Sequence, residues 1–275
     1  MVALMRLSER TAVITGAASG IGRAVSVALA RRKCNLALAD IDDKGLIKTA
    51  ELVAKEGVRV SCHRLDVGNP DAVAAFPQVV KADHPGVDVL VNNAGVALGG
   101  TFDVVSAEDF EWLFGINFWG VVRMTRAFLP TLKTSDEARL VNLSSLFGLV
   151  APPGQTAYVA SKFAVRGFSE SLRHELKGST VGVTVVHPGG VATSIADKAR
   201  APAGAPAEEV ARQASAMKKI LRLPPEVAGE TIVRGIERRK PRVLVGNDAK
   251  LLALIERLLP VSNWPVIERL MNRQR

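Results

Sequence analysis

Short apolar runs alternate along the chain with longer segments in which apolar residues recur every three to four positions. Most of the short runs are apolar throughout, which is typical of strands that are covered on both faces. Seven of them are predicted as strands: residues 11–15, 35–39, 59–61, 87–91, 139–143, 182–186 and 242–245. Because they alternate with helical segments, the pattern predicts βαβ units and a doubly wound parallel seven-stranded sheet of the α/β class, in a single domain.

The longer segments carry the periodicity of amphipathic helices. They are predicted as helices at residues 21–32, 43–56, 107–131, 156–176 and 225–238. Two of the starts carry capping signals, since Asp42 can cap the second helix and Ser106 with Asp109 resembles a capping box. The last predicted strand closes a domain over residues 1–246, which leaves a C-terminal helical extension over residues 247–275.

One irregular segment, residues 191–224, is rich in alanine, proline and charge. It follows a predicted strand end, and ligands bind at strand ends in open α/β sheets. Two interpretations stay open for it: a mobile lid over a bound substrate, or an ordinary surface excursion. Three prolines interrupt the segment in either case, Pro202, Pro206 and Pro224.

The C-terminal extension has an apolar stripe at helical spacing, formed by Leu251, Leu254, Ile255, Leu258 and Leu259. The stripe resumes after two prolines with Ile267, Leu270 and Met271. Basic residues accompany it: Lys250, Arg257, Arg269, Arg273 and Arg275. Such a segment either binds an anionic membrane surface or packs over the protein's own ligand pocket or a partner subunit, and the second interpretation is favoured.

Composition narrows the class of protein. The formal net charge is +9, but no motif that reads nucleic acid accompanies the basic residues, so nucleic acid is not expected as a partner. Cys34 and Cys62 form no C-x-x-C pair and are predicted as buried thiols of a cytoplasmic protein. The four histidines lack ligand spacing, so no metal site is predicted. No apolar run approaches the ~18 residues of a membrane span, and the first six residues are too short for a signal peptide.

A glycine-rich turn joins the first predicted strand to the first predicted helix. Gly16, Gly20 and Gly22 let the backbone approach a pyrophosphate, which sits against the free N–H groups of the helix start. The second strand ends at Asp40, where a carboxylate can bind an adenosine ribose or, alternatively, cap the strand. A 2′-phosphate there would meet a like charge with no neighbouring arginine, so NAD is favoured over NADP. The Asp66-Val67 pair after the third strand could bracket the adenine.

The chain has one tyrosine, Tyr158, and Lys162 follows it by four positions on a predicted helix. Residues at this spacing project from the same face, so the ammonium can favour the ionised phenol and lower its pKa. A phenol poised in this way can exchange a proton with an alcohol or a carbonyl compound. Taken alone, the pair is also compatible with an amphipathic surface contact.

These motifs occur with others in a fixed order: residues 15–22, residues 92–95, Ser145, the Tyr158 and Lys162 pair, and Pro188-Gly189. In order and spacing they resemble the short-chain dehydrogenase/reductase family over residues 7–246, nearly the whole chain. The resemblance implies a Rossmann-type fold, an oxidoreductase with a nicotinamide cofactor, and pairing of long helices into a homodimer or homotetramer. Residues 143–149 and 163–168 also resemble a subgroup of actinobacterial oxidoreductases with poorly defined substrates.

Individual roles are implied by the resemblance. Tyr158 matches the acid/base, Lys162 the residue that binds the nicotinamide ribose and lowers the phenol's pKa, and Ser145 the serine that holds the substrate oxygen. Asn117 matches an asparagine that keeps a water in a proton relay to Lys162, and Thr193 a residue that binds the carboxamide. The implied cofactor-binding set is Gly16, Ser19, Gly20, Ile21, Gly22, Asp40, Asp66, Val67, Asn93, Ala94, Gly95, Tyr158, Lys162, Pro188, Gly189, Val191 and Thr193. A mild departure from the family pattern is Gly190.

Apolar residues flank the implied active site: Val96, Leu98, Leu146, Phe147, Leu149, Val150, Pro152 and Pro153. No arginine stands among them to bind a carboxylate or phosphate, so a lipophilic secondary alcohol or ketone is the hypothesised substrate. The alternative is that several of these side chains belong to the core. The sequence thus predicts an NAD-dependent dehydrogenase. The competing hypotheses are an NADP-dependent ketone reductase and a catalytically idle dinucleotide-binding sensor or scaffold.

Overall fold

Seven parallel strands form one sheet in the computed structural model, which describes residues 4–202, 208, 215 and 220–272. The strands are β1 (Thr11–Thr15), β2 (Asn35–Asp40), β3 (Val60–Arg64), β4 (Val89–Asn92), β5 (Ala138–Leu143), β6 (Val181–Pro188) and β7 (Arg242–Val245). Their order is β3-β2-β1-β4-β5-β6-β7, which confirms the predicted doubly wound α/β fold. The order reverses between β1 and β4, and ligands bind at such a switch point.

The helices pack on both faces of this sheet. They are α1 (Gly20–Ala30), α2 (Asp43–Ala54), α3 (Pro70–Asp83), α4 (Ala107–Phe114), α5 (Gly120–Thr134), α6 (Thr156–Glu175), α7 (Pro225–Glu237), α8 (Asn247–Leu258) and α9 (Asn263–Asn272). The sequence pattern does not predict α3, because Pro77 interrupts its helical signal. Asn69 nevertheless caps α3 by accepting hydrogen bonds from the N–H groups of Asp71 and Ala72, and Val73, Phe76 and Val80 of the helix are buried against the sheet, which helps the helix to accommodate Pro77.

The predicted helix over residues 107–131 is interrupted. Helices α4 and α5 are joined by a π-helical turn at Gly115–Trp119, with the fully buried Asn117 at its centre. Such turns occur frequently at functional sites. Hydrophobic periodicity does not reveal the turn, because the segments on either side of it keep helical spacing.

Two apolar layers cover the sheet. Neighbouring residues of β1 point into different layers, with Ile14 beside Val25 of α1 in one layer and Val13 beside Phe128 of α5 in the other. All four side chains are fully buried. The central strands therefore consist of continuous apolar runs, as expected for a sheet with helices on both faces.

Cys34 is buried, as predicted, but Cys62 is exposed. The prediction for Cys62 is wrong because β3 is an edge strand, where alternate side chains face solvent. Among the described residues, no group of histidine, cysteine and acidic side chains is arranged to hold a metal ion. The same part of the chain contains no helix that is long and apolar enough to cross a membrane.

The C-terminal extension packs against the loop that follows β5. Ala249 of α8 and Ile267 of α9 are buried in one apolar cluster, together with Leu149 and Val150 from that loop. The loop begins at the implied catalytic serine, Ser145. The extension therefore contacts the end of the sheet at which the predicted site residues lie.

The buried face of α8 differs from the predicted apolar stripe. Three leucines of the stripe are 50%, 52% and 68% exposed, namely Leu251, Leu254 and Leu258. Ala249 is fully buried instead, because a small side chain lets the helix approach the β5 loop closely. The sequence pattern predicted that the large leucines would be buried, whereas the structure buries the small Ala249. Arg273, Arg275 and the side chain of Met271 lie outside the described residues.

Candidate active site

The glycine turn between β1 and α1 is folded tightly against itself. Gly16 and Gly20 have positive φ angles of 67° and 51°, which favour glycine. A Cβ atom on Gly22 would lie 2.0 Å from the carbonyl oxygen of Gly16, so no larger residue fits there. Ser19, at the N-cap of α1, makes no side-chain capping bond within the described residues. The first N–H groups of α1 are therefore available to a phosphate.

Thr15 ties the glycine turn to the loop after β4. Its hydroxyl oxygen accepts hydrogen bonds from the N–H groups of Asn93 (3.0 Å) and Ala94 (3.1 Å). The Asn93 side chain donates in turn to the carbonyl oxygens of Thr15 (3.0 Å) and Gly16 (3.1 Å). Two predicted cofactor loops, far apart in the sequence, are thus joined. The sequence motif assigns no separate role to Thr15. Its position directly before Gly16 is the one sequence feature that could have pointed to a role in holding this turn.

Asp40 lies at the end of β2, and its carboxylate is hydrogen-bonded to the protein. It accepts bonds from the N–H groups of Ala18 (2.9 Å) and Asp42 (3.1 Å), so it does cap the strand end. Each carboxylate oxygen keeps a further lone pair for a ribose hydroxyl. The expectation of no neighbouring arginine is wrong, because Arg23 binds the carbonyl oxygen of Ala18 and Arg64 is the register partner of Asp40 in β3.

The Asp66-Val67 pair follows β3. Asp66 is exposed, and its carboxylate accepts a hydrogen bond from the N–H of Gly68 at 2.8 Å. Val67 is buried, and its side chain packs against Gly120 at the start of α5. Only the backbone of Val67 is therefore placed to meet an adenine. The implied role of this pair stays a prediction.

Helix α6 presents Tyr158 and Lys162 to the same space. The Lys162 ammonium lies 5.6 Å from the centre of the Tyr158 ring and donates a hydrogen bond to the carbonyl oxygen of Leu143 at 3.2 Å. Lys162 is 5% exposed, and burial lowers its pKa to about 8. At pH 7 the ammonium therefore still carries its charge.

Burial raises the pKa of Tyr158 above its ordinary value, because a phenolate is disfavoured away from water. A hydrogen bond with the Ser145 side chain acts in the opposite direction and lowers the pKa. The charge on Lys162 does not outweigh burial, so the pKa of the Tyr158 phenol stays raised when only protein groups act on it. The predicted activation of the phenol therefore also needs the positive charge that an oxidised nicotinamide brings.

The two serines after β5 have different partners. The buried Ser144 hydroxyl donates to the carbonyl oxygen of Lys162 at 2.8 Å, which joins the end of β5 to α6. Ser145 is hydrogen-bonded to Tyr158 and accepts a bond from the N–H of Phe147 at 3.1 Å. Ser145, rather than Ser144, is thus the serine that meets the phenol.

The buried His187 is hydrogen-bonded to the backbone of Ser145. The Nδ1 atom of His187 lies 2.9 Å from the carbonyl oxygen of Ser145. Burial lowers the pKa of His187 to about 4, so the imidazole is neutral at pH 7 and its Nδ1 proton donates this bond. The sequence carries no signal for this contact, because it joins β6 to a loop more than one element away.

Asn117, in the π-helical turn, binds the loop after β4. Its side chain accepts a hydrogen bond from the N–H of Val96 at 2.8 Å and donates one to the Val96 carbonyl oxygen at 3.0 Å. A Cβ atom on Gly95 would lie 3.1 Å from the Asn117 side-chain oxygen and 3.6 Å from the Lys162 ammonium. These residues therefore converge, while the implied water relay to Lys162 stays a prediction.

The loop after β6 is held by the C-terminal extension. Gly190 donates its N–H to the Asp248 carboxylate of α8 at 2.6 Å, and a Cβ atom on Gly190 would lie 2.3 Å from the Ile220 carbonyl oxygen. A Cβ atom on Gly189 would lie 2.2 Å from the same carboxylate. These close approaches explain why a glycine stands at position 190, where the sequence departs mildly from the family pattern. The sequence pattern does not single out Asp248. Further along the loop, Thr193 packs its methyl group against the glycine turn.

Comparison with known proteins decides the family. The family model described as short chain dehydrogenase matches residues 10–204, more than half of the chain. The chain is a short-chain dehydrogenase. SadH of Mycobacterium tuberculosis, named as an oxidoreductase, is 44% identical over 256 residues, which cover 92% of each protein. This relative agrees with the resemblance to actinobacterial oxidoreductases.

Two solved structures share the fold of this dehydrogenase. A short-chain dehydrogenase/reductase of Burkholderia phymatum in complex with NAD is 30% identical, covers 93% of this chain and 95% of its own, and has a TM-score of 0.86. An alcohol dehydrogenase of Thermococcus sibiricus complexed with 5-hydroxy-NADP is 31% identical, covers 86% and 94%, and has a TM-score of 0.72. Similar structures therefore bind either type of dinucleotide.

Apolar side chains surround Tyr158 in the dehydrogenase. Its neighbours in one cluster include Val96, Phe110, Trp112 and Phe114. The Phe147 ring stands edge-on to the Tyr158 ring, with 6.2 Å between ring centres. Several positions predicted to line the pocket are core residues instead: Leu98, Leu146, Leu149 and Val150. The alternative that these side chains belong to the core is therefore correct for those four. Val96 and Phe147 are only half-buried and can face a ligand.

The described part of the predicted lid runs from the end of β6 to the loop after β4. Val191 forms an isolated bridge with Leu223, and the N–H of Arg200 donates to the carbonyl oxygen of Ala97 at 3.0 Å. The Arg200 guanidinium lies over the Trp112 ring, 4.8 Å from its centre. Residues 203–207, 209–214 and 216–219, Pro206 among them, lie outside the described residues. The lid function thus stays a prediction.

Proposed function

We propose that this short-chain dehydrogenase uses NAD to transfer a hydride between the nicotinamide and a secondary alcohol or ketone. The observation that carries the proposal is the convergence of three side chains: the Ser145 hydroxyl acts on the Tyr158 phenol, and the buried Lys162 ammonium lies 5.6 Å from the centre of the Tyr158 ring. When bound, the cofactor supplies the hydride acceptor or donor. The residues present fit it, because the first N–H groups of α1 have no side-chain cap and can bind a pyrophosphate, and Asp40 offers lone pairs to a ribose.

The side chains divide the proton chemistry among themselves. Tyr158 would take the hydroxyl proton of an alcohol as the hydride leaves, and would return it in the reverse direction. Ser145 would hold the substrate oxygen, since its hydroxyl can donate to the developing negative charge. Lys162, charged below its pKa of about 8, would stabilise the phenolate.

We infer a lipophilic substrate from the surroundings of Tyr158. Aromatic and aliphatic side chains line this space, and Arg200, which contacts Trp112 of this cluster, already has partners. Its guanidinium forms an ion pair with Asp109 at 3.0 Å and lies over Trp112, so it is not available to a substrate carboxylate. Residues 191–224 would cover such a substrate, because both ends of the segment are anchored beside the site.

A panel of secondary alcohols tested with NAD distinguishes these possibilities. We expect turnover of hydrophobic cyclic or long-chain alcohols and none of small polyols. Turnover confined to small polyols would contradict the lipophilic substrate but leave the dehydrogenase assignment intact. Binding of NAD without turnover of any alcohol or ketone would favour an idle dinucleotide-binding protein instead.

NADP is the second candidate cofactor. Arg64 lies opposite Asp40 in the sheet register, and the Thermococcus structure contains an NADP derivative. The Arg64 guanidinium is held by an ion pair with Asp43 at 2.7 Å, however, so the Asp40 carboxylate would be the dominant charge at the ribose. We therefore propose NAD as the preferred cofactor.

We expect Asp40→Asn to raise kcat/KM for NADP about tenfold and to lower it for NAD, because an amide does not repel a 2′-phosphate. Steady-state kinetics with both cofactors measures the ratio. Asp71→Asn, in the first turn of α3, removes the same charge elsewhere and leaves the ratio unchanged. A wild-type protein that already prefers NADP would show that Asp40 serves only as a strand-end cap.

We expect Asp248→Ala to raise KM for NAD about tenfold, because the loop after β6 loses the acceptor for the N–H of Gly190. Measurements at a saturating alcohol concentration separate KM from kcat. Asp248→Asn keeps an oxygen acceptor of the same size and serves as the control, with KM close to that of the wild type. An unchanged KM in the alanine variant would mean that α8 does not support the loop.

We further propose a cytoplasmic homodimer or homotetramer that pairs the helices around the π-turn and α6. Trp119 is 48% and Phe163 38% exposed, and exposed large aromatic residues on neighbouring helices mark interaction surfaces. Light scattering gives the particle mass, and a monomer at micromolar concentration would contradict this proposal. Free thiols such as Cys62 suit a reducing compartment.

A further inference from the structure

A cavity lies at the amino-terminal edge of the sheet, the edge opposite Ser145 and Pro188. Its volume is about 450 Å³, and it is bounded by the starts of β5 and β6, the end of α6 and the turn before β7. Five basic side chains line it: Arg139, Arg173, His174, Lys177 and Arg239. Glu137 is the one acidic side chain in this lining. The cavity is therefore strongly basic.

Arg139 forms the buried wall of this cavity. It is 7% exposed, and within the described part of the chain its Nε–H has no hydrogen-bond acceptor. Buried arginines are almost always paired, because an unpaired charge away from water is costly. The guanidinium lies flat against Gly182 of β6, where a Cβ atom would come within 2.2 Å of one of its terminal nitrogens. The backbone thus makes room for the cation without neutralising it.

Arg10, near the same edge of the sheet, differs from Arg139 in that its guanidinium has acidic and hydroxyl partners. Its guanidinium binds Asp88 at 3.0 Å and Ser135 at 3.1 Å, and it also pairs with Asp136. The acid closest to Arg139 in sequence, Glu137, binds Arg239 instead. Among the described residues Arg139 forms no ion pair, and the Glu137 carboxylate acts on it only through space. Its guanidinium is therefore available to a further anion.

We propose that this cavity binds a small oxyanion, a phosphate or a phosphorylated small molecule, with Arg139 at its base and Arg173 and Lys177 at its rim. The terminal N–H groups of the Arg139 guanidinium, which are not among the enclosed unpartnered atoms, supply the donors, and phosphate oxygens match this planar fork. The volume of about 450 Å³ is many times the ~30 Å³ that one water occupies in the liquid, so a molecule larger than one phosphate also fits. The site lies across the sheet from the proposed dinucleotide site and does not depend on it.

Thermal unfolding in anion-poor buffer, with added inorganic phosphate or pyrophosphate against chloride at equal ionic strength, tests the proposal. We expect the wild-type melting temperature to rise on the order of 3 °C at ten times the Kd, since a ligand of the folded state stabilises it. Lys177→Gln is expected to reduce this rise. Lys48 is an exposed lysine on α2 at the far side of the sheet, and Lys48→Gln is expected to leave the rise unchanged. A rise that is larger with pyrophosphate than with phosphate, and that Lys177→Gln reduces, indicates a phosphorylated small molecule rather than free phosphate.

Arg139→Met separates ligand binding from a structural role. In anion-poor buffer this variant is expected to be at least as stable as the wild type, because it removes an unpaired buried charge, and it gains nothing from phosphate. A variant that is less stable without anions and still responds to phosphate would overturn the proposal. So would a wild-type response that Lys48→Gln reduces as much as Lys177→Gln, or a wild-type response no larger than that to chloride.

Discussion

Replacing Tyr158 by phenylalanine is expected to lower kcat about 10³-fold, because the reaction loses its general acid/base. The phenyl ring keeps its contact with Phe147, so the fold and the affinity for NAD stay close to those of the wild type. Steady-state kinetics with the best alcohol of the panel gives kcat, and quenching of tryptophan fluorescence gives the Kd for NAD.

Ser145→Ala provides a graded comparison, with an expected loss of about 10²-fold, since one oxyanion donor is removed. The phenol can also be followed directly, because Tyr158 is the only tyrosine of the chain. An ultraviolet titration is expected to show a raised pKa without cofactor and a lower one after NAD is added. Retention of more than a tenth of the activity in Tyr158→Phe would refute the assignment.

Lys162→Met is expected to reduce kcat at least 10²-fold and yet to stabilise the protein at pH 7. Burial holds the pKa of Lys162 at about 8, whereas in the unfolded chain it is ~10.4, so the folded protein pays for a buried charge. This difference corresponds to a gain on the order of 3 kcal/mol in the free energy of unfolding when the charge is removed. Denaturant titrations of both proteins at pH 7 measure it.

The pH dependence identifies the cause of that gain. Below pH 8 the lysine is charged in the folded and the unfolded state, and the wild type carries the full penalty. From there to ~10.4 the unfolded chain binds more protons than the folded one, so the wild type gains stability as pH rises and the gap to the variant closes. Lys48→Met, exposed on α2, should show no such closing gap. A gap that stays constant would assign the gain to packing rather than to charge.

The central strands and the catalytic pair could be predicted because both depend on local signals. Continuous apolar runs mark strands that are buried on both faces, and the four-residue spacing places Tyr158 and Lys162 on one side of a helix. The exposed Cys62 could not be predicted, because an edge strand is defined by the absence of a neighbour. The buried face of α8 was missed because packing against the β5 loop chose Ala249 over the leucines.

The parts of the site that the sequence did not reveal are contacts between distant segments. Thr15 joins two loops, Arg64 faces Asp40 only through the β2–β3 register, and His187 reaches the backbone of Ser145. None of these contacts has a characteristic spacing along the chain, because each depends on how strands are ordered in the sheet. The π-helical turn at Asn117 is likewise a matter of backbone geometry.

The bond between Gly190 and Asp248 bears on the biosynthesis of the protein. Asp248 follows every other residue of the site along the chain, so the ribosome delivers it last. A nascent chain can pair its first strands and form the glycine turn well before that point, since folding proceeds from the amino terminus during synthesis. The loop after β6 would still lack the carboxylate that holds it. A ribosome stalled before α8 would therefore display a sheet whose loop after β6 is not yet held by Asp248.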